Sequence, residues 1–215
     1  MRFERDMLLL YAVTDRAWTG KQSLDEQVEE ALQGGVTLVQ LREKRLSKEQ
    51  LIEEARRITA LCHRYGVPLI VNDDYEAALA AGADGVHVGI EDAPVVAIRA
   101  RAGKNFIIGA TAKTVEQAQR AEREGADYLG VGAVFPSPTK QSAIRITNGQ
   151  LREICASVTI PAVAIGGITQ KNVASLKGSD MAGIAVVSAI FGADNILAAT
   201  RLLRERAIEV TRGEA

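Results

Sequence analysis

Acidic residues stand at two matching places in the chain. The apolar run Leu69-Ile70-Val71 stops at Asn72-Asp73-Asp74, and Gly85-Val86-His87-Val88 is followed shortly by Glu91-Asp92. Between them Tyr75–Ala81 is alanine-rich, and Gly82 is placed to end a helix there. The stretch reads as one strand–helix–strand unit with carboxylates just past each strand. Adjacent parallel strands lie about 4.8 Å apart. Asp73 and Asp92 are therefore candidate ligands of one small hard cation, and Mg²⁺ takes one or two carboxylates together with substrate phosphate. Each acid alone also has a plainer reading. Asp73 or Asp74 can cap the next helix, and Asp92 can cap one beginning after Pro94.

Basic groups follow a second strand. In Gln40-Leu41-Arg42-Glu43-Lys44 the period of two puts Gln40, Arg42 and Lys44 on one side. An amide and two cations suit a phosphate or diphosphate, Arg42 by bidentate contact and Lys44 as a point charge. Alternating signs through Arg45 equally fit a solvated loop. The loop Gly132–Thr147 carries Ser137, Thr139 and Lys140 on a proline-stiffened stretch. Hydroxyls and a lysine suit diphosphate oxygens, and a structureless loop beyond about 12 residues is uncommon without a function. Gly166-Gly167 follow a strand, where phosphate binding or a tight turn explains the pair, and another strand ends with Val187-Ser188, where phosphate binding fits. Thr111 and Lys113 follow another strand. His87 reads as a packed strand histidine and His63 as a helix-surface residue.

These residues need elements that bring them to one end. Strand-like runs alternate with helical stretches throughout: Leu8–Val13, Thr37–Leu41, Leu69–Val71, Gly85–Val88, Phe106–Gly109, Tyr128–Val131, Ala162–Ile165 and Gly183–Val187 are the strands. Helices are expected from Ser23 to Gln33 with a Ser23/Glu26 capping box, then over Lys48–Tyr65, Tyr75–Ala81, Pro94–Ala102 and Val115–Glu124. Leu151–Ala156, about Gln170 to Leu176 and Asn195 to about Val210 complete the set. The strands are near-continuous Val/Ile/Leu/Ala runs, the pattern of a sheet covered on both faces. Gly82-Ala83-Asp84-Gly85-Val86 is echoed by Gly125-Ala126-Asp127-Tyr128-Leu129 at the same helix-to-strand turn. Eight units favour a single-domain α/β (β/α)₈ TIM barrel over a doubly wound sheet, which usually has five or six strands. Residues 1–6 and 211–215 are expected to be flexible ends. In this fold the site lies at the C-terminal ends of the strands.

The chain has 215 residues, 47% of them hydrophobic and 25% charged, with a formal net charge of −1. That composition is ordinary for a soluble globular protein, and the charge gives no case for nucleic acid or an acidic membrane as partner. Cys62 and Cys155 form no C-x-x-C and sit among apolar neighbours, as buried thiols in a reducing compartment do. The run Met7–Val13 is too short to span a membrane, and no signal peptide is legible. A cytoplasmic location is the expectation.

Taken together, the motifs resemble the thiamine-phosphate synthase family. The stretches that carry the resemblance are Tyr11-Ala-Val-Thr-Asp-Arg16, Val39-Gln-Leu-Arg-Glu-Lys44, Val71-Asn-Asp-Asp74, Asp84-Gly-Val-His-Val-Gly89 with Glu91-Asp92, Pro136–Lys140, Ala164-Ile-Gly-Gly-Ile168 and Val186-Val-Ser-Ala-Ile190. They span nearly the whole chain and are specific jointly rather than singly.

The resemblance implies a transferase of thiamine biosynthesis. It joins 4-amino-2-methyl-5-hydroxymethylpyrimidine diphosphate to a thiazole phosphate or its carboxylate, releasing diphosphate by a carbocation-like path. By matching position, Gln40, Arg42, Lys44 and Asn72 resemble the family's diphosphate and pyrimidine contacts, and Asp73 and Asp92 its Mg²⁺ ligands. Thr111 stands where the family usually has a serine that touches the departing diphosphate. Ser137 and Thr139 match thiazole-side hydroxyls, Lys140 a diphosphate lysine, and Gly167, Val187 and Ser188 the thiazole-phosphate cradle. Thr111, Lys140 and Arg42 are the candidate catalytic residues. Two departures stand out: Ile90 where the family commonly has Gln, and Lys113 where it commonly has His. The alternatives are the related thiazole tautomerase, whose catalytic histidine would fall at Lys113, and a non-catalytic barrel that binds thiamine precursors. Oligomeric state stays open, a homo-oligomer included.

Overall fold

The computed structural model describes residues 2–20, 22–136 and 144–212. Eight parallel strands close in sequence order into a barrel: β1 (Leu10–Val13), β2 (Leu38–Leu41), β3 (Leu69–Asn72), β4 (Gly85–Val88), β5 (Ile107–Ala112), β6 (Tyr128–Gly132), β7 (Ala162–Ile165) and β8 (Gly183–Val186). Closure comes from β8 pairing β1, with Tyr11 opposite Ala185. The connecting helices are α1 (Leu24–Gly34), α2 (Lys48–Arg64), α3 (Tyr75–Ala81), α4 (Val95–Ala102), α5 (Val115–Glu124) and α6 (Asn148–Ala156). After β8 come a short α7 (Ser188–Phe191) and the long α8 (Ile196–Arg212).

Alternation along each strand creates two cores. Tyr11, Val13, Leu38, Ile70, Ile107, Tyr128, Val163 and Ala185 pack inside the barrel. Their neighbours Leu10, Ala12, Val39, Leu69, Val71, Val86, Ile108, Leu129 and Ile184 pack outward against the helices. Both faces of every strand are thus covered, which is why the strands read as unbroken apolar runs.

Local signals set the helix ends. Ser23 and Glu26 form a reciprocal capping box at α1, as do Ser47 and Gln50 at α2 and Thr147 and Gln150 at α6. Each such cap contributes about 1 kcal/mol. Gly82 and Gly125 end α3 and α5 in the left-handed conformation. The echoed Gly-Ala-Asp turns then share a role. Asp84 Oδ2 accepts from Leu69 N at 2.9 Å, and Asp127 Oδ2 accepts from Ile108 N at 2.7 Å. Each aspartate ties the start of its own strand to the preceding strand.

Three expectations change. The segment after β7 holds only a 3₁₀ turn, Val173–Leu176, and not a helix from Gln170. Beyond β8 the chain forms α7 before its last helix, where a single helix is expected from sequence. β5 runs on to Ala112, so Thr111 is a strand residue and does not follow the strand. Thr211 and Arg212 continue α8. No helix among the described residues is long and apolar enough to cross a membrane. Cys62 and Cys155 are buried and unbridged, and burial pushes their thiols up to about 12 and about 11.

Candidate active site

All eight strands contribute to one cavity at the C-terminal end of the barrel. Tyr11, Gln40, Asn72, His87, Thr111, Gly130, Ile165 and Ala185 line it, one from each strand, with Arg42, Lys113, Gly167 and Val187 from the loops and Ser188 from the first position of α7. The walls from β7 and β8 are apolar and include Val163, Ile165 and Val186.

The acidic residues separate into distinct roles. Asp74 is the cap, its Oδ1 accepting from Ala77 N at 2.8 Å. Asp73 does not cap. It takes a positive φ of 65°, uncommon for a residue with a side chain, and its N–H bonds His87 O at 2.9 Å across to β4. Asp92 does not cap α4 either, since Pro94 holds the N-cap position without a side-chain bond. Asp92 Oδ2 instead accepts from Gly89 N at 2.7 Å. The Asp73 and Asp92 carboxyl groups lie within hydrogen-bonding reach. Burial, then this neighbour, raises Asp73 to about 6, opposed by Asn72 and by the Arg42 charge. Among the described residues no cluster of three or more His, Cys, Asp or Glu could hold a metal. Two crowded carboxylates fit a divalent cation that draws its remaining ligands from water and substrate phosphate.

Arg42 is held by the end of β1. Thr14 N donates to Gln40 O at 2.9 Å, Thr14 Oγ1 accepts from Arg42 N at 3.0 Å, and the Arg42 guanidinium lies 3.5 Å from Asp15. Arg16 pairs with Glu43 at 2.8 Å and with Glu54 of α2. The Glu43 side chain is only 3% exposed, and burial raises its carboxyl pKa despite Arg16. This clamp fixes the backbone from which Arg42 and Lys44 extend. Sequence reasoning missed it, although Thr14-Asp15-Arg16 stood out as a motif. Lys44 itself is exposed and does not line the cavity, because the strand's alternation ends at Leu41.

The paired glycines after β7 serve packing. Gly166 and Gly167 take φ of 101° and 63°. A Cβ on Gly167 would lie 2.1 Å from Pro136 O, and one on Gly166 would lie 2.5 Å from the Ala133 Cβ. The tight turn is therefore required by the loop from β6, and Gly167 still borders the cavity. Val187 and Ser188 sit at the start of α7. Ser137, Thr139 and Lys140 lie outside the described residues.

His87 is buried, as a packed strand histidine should be, but it also faces the cavity and bonds Tyr128 and Thr111. Burial lowers it to about 4, so the ring is neutral at pH 7. His63 is exposed and pairs with Asp84 at 2.8 Å. Of the two departures, Lys113 lines the cavity and Ile90 is exposed. Tyr11, which lines the cavity, and Tyr128, which is buried and bonds Tyr11 and His87 without lining it, were not anticipated. Their signal was an inward-facing tyrosine in a strand otherwise made of apolar side chains.

A family model described as thiamine monophosphate synthase matches residues 10–190. The chain is 46% identical over 187 residues to a thiamine-phosphate synthase of Clostridium tetani, covering 87% of this chain and 90% of that one. It is 44% identical over 199 residues to a thiamine-phosphate synthase of Methanobrevibacter smithii, covering 92% and 95%. Among solved structures, a thiamine phosphate pyrophosphorylase from Pyrococcus furiosus superposes with a TM-score of 0.88 at 40% identity, covering 96% of this chain and 98% of that one. With that match over most of its length, the chain belongs to the thiamine monophosphate synthase family.

Proposed function

We propose that this transferase joins the hydroxymethylpyrimidine diphosphate to a thiazole phosphate within the barrel mouth, giving thiamine phosphate and diphosphate. The observation that carries the reading is the cavity to which all eight strands contribute, with Arg42 and Lys113 in its lining. Asp73 and Asp92 are not part of that lining, but Asp73 lies against Asn72, which is, and feels the Arg42 charge. A cation-binding pair at the edge of an anion-binding cavity is what a diphosphate leaving group demands.

The aminopyrimidine ring donates electrons to its methylene carbon as the C–O bond to diphosphate breaks. Negative charge grows on the departing oxygens, and Arg42 is a preplaced cation for that charge. The Thr111 hydroxyl donates to the same group. Gln40 and Asn72 orient the pyrimidine. Asp73 and Asp92 would hold Mg²⁺, which when bound neutralises diphosphate charge. Gly167, Val187 and Ser188 seat the thiazole phosphate, in keeping with phosphate sites built from the loops after strands seven and eight and a short extra helix. Holding the thiazole nitrogen against the methylene carbon makes the bond-forming step effectively unimolecular. The apolar wall of Val163, Ile165 and Val186 keeps water from the carbocation. Lys140, Ser137 and Thr139 are assigned to diphosphate and thiazole by resemblance alone.

The test is direct. Pure protein given both substrates and Mg²⁺ should release thiamine phosphate and diphosphate in equal amounts. Absence of both products refutes the synthase reading, and binding without turnover supports a precursor-binding barrel. The tautomerase alternative lacks its catalytic histidine, since Lys113 stands there.

A further inference from the structure

A chain of side-chain hydrogen bonds crosses the floor of the cavity and is accounted for by no role given so far. Gln40 Nε2 donates to the Tyr11 hydroxyl at 2.6 Å. The Tyr11 and Tyr128 hydroxyls lie 2.8 Å apart, Tyr128 Oη lies 3.2 Å from His87 Nδ1, and His87 Nε2 lies 3.1 Å from Thr111 Oγ1. Five residues on β2, β1, β6, β4 and β5 are thereby joined in line.

The barrel makes room for this chain with glycine. His87, Gly109 and Tyr128 occupy one register row. A Cβ on Gly109 would lie 2.1 Å from the Tyr128 ring and 2.5 Å from His87 Nδ1. A Cβ on Gly130, which is opposite Thr111, would lie 2.9 Å from the His87 ring. His87 and Tyr128 therefore meet over one missing side chain, and His87 reaches Thr111 over another.

The polarity follows from the donors available. The Gln40 amide nitrogen has only protons to give, so Tyr11 Oη accepts there, and the acceptor left for its own proton among its hydrogen-bond partners in the described residues is Tyr128 Oη. Tyr128 then donates to His87 Nδ1. A neutral ring that accepts at Nδ1 carries its proton on Nε2, and donates it to Thr111 Oγ1. The Thr111 proton is left over, and so is the Gln40 carbonyl oxygen.

We propose that Tyr11, Tyr128 and His87 are positioning residues forming a one-way hydrogen-bond chain, which presents Thr111 to the cavity as a proton donor and Gln40 as an acceptor. This rests on the synthase reading, in which Thr111 faces the departing diphosphate. A donor aimed at developing negative charge assists departure, whereas a hydroxyl turned inward to donate to His87 would oppose it with its lone pairs.

The experiment has two arms. The chain has two histidines, so ¹⁵N-histidine labelling, with His63→Gln for assignment, reads the His87 tautomer in the resting protein. The expected result at pH 7 is the neutral Nε2–H form. An Nδ1–H form, a mixture or a charged ring reverses or breaks the chain and overturns the proposal. In the kinetic arm Tyr128→Phe should lower kcat about tenfold, the worth of one hydrogen bond. The KM for the thiazole phosphate should stay unchanged, and the substitution should have no further effect in a Thr111→Val background. Additive losses overturn the proposal, because a merely structural tyrosine would cost the same in both backgrounds. If the variants fail to fold, the tautomer of the unmodified protein still decides. If the unmodified protein makes no thiamine phosphate, the synthase reading fails, while the tautomer reports on the chain regardless.

Discussion

Acid should destabilise this barrel through His87 by an amount that can be worked out. In an unfolded chain a histidine takes up its proton near pH 6.5. In the barrel, burial lowers that value to about 4, with the Asp92 charge opposing only in part. Between the two values the unfolded state binds a proton that the folded state refuses. The stabilisation is therefore complete above pH 6.5 and is lost as pH falls toward 4. At roughly 1.4 kcal/mol per pKa unit the whole window is worth about 3 kcal/mol, of which about 2.5 kcal/mol has gone by pH 4.5. Urea unfolding of the native protein and of His87→Gln at pH 7.5 and pH 4.5 isolates the effect, since every other acid-sensitive group is common to both. The native protein should lose about 2.5 kcal/mol more than the variant. Parallel losses would show that the ring is not held neutral, and the argument from burial would be wrong.

Other outcomes follow from the site. Arg16→Met leaves the Glu43 carboxylate buried without its cation, while Glu54 keeps Arg57 at 3.5 Å, and should cost about 2 kcal/mol in urea unfolding. It should also raise the KM for the pyrimidine diphosphate, because the loop bearing Arg42 loses its anchor; full stability would remove the clamp from the account. Asp92→Asn should lower turnover and raise the half-saturating Mg²⁺ concentration about tenfold or more, as loss of one of two carboxylate ligands implies. An unchanged Mg²⁺ requirement would take Asp92 out of the metal site. Ser188→Ala should raise the KM for the thiazole phosphate several-fold more than that for the pyrimidine diphosphate, and equal effects would misplace the phosphate cradle.

Helix and strand limits were legible wherever the signal was local. α3, α5, β4 and β7 match their expected bounds, because left-handed glycines end the two helices and the strands are short apolar runs between turns. The segment after β7 misled because Val173 and Leu176 have helical spacing, yet the chain spends them on a single 3₁₀ turn packed into the core. Asp73, Asp74 and Asp92 were each open to a capping role by type and position. Which one caps is decided by the turn geometry at Asp73 and the bond from Gly89 to Asp92.

Parity along β2 carries over to a barrel without knowledge of its partners, so Gln40 and Arg42 could be assigned to the mouth from sequence, but the same parity misplaced Lys44, which lies past the end of the strand. Resemblance to a known family added the chemistry. What sequence alone could not supply were relations between strands far apart in the chain. Tyr11 and Tyr128 are 117 residues apart and touch only because the barrel closes. Gly109 and Gly130 look like weak points in a strand until the rings that fill their space are seen. Local periodicity sets which way a side chain points. The register of closure sets what it meets, and the polarity of the hydrogen bonds inside depends on that meeting.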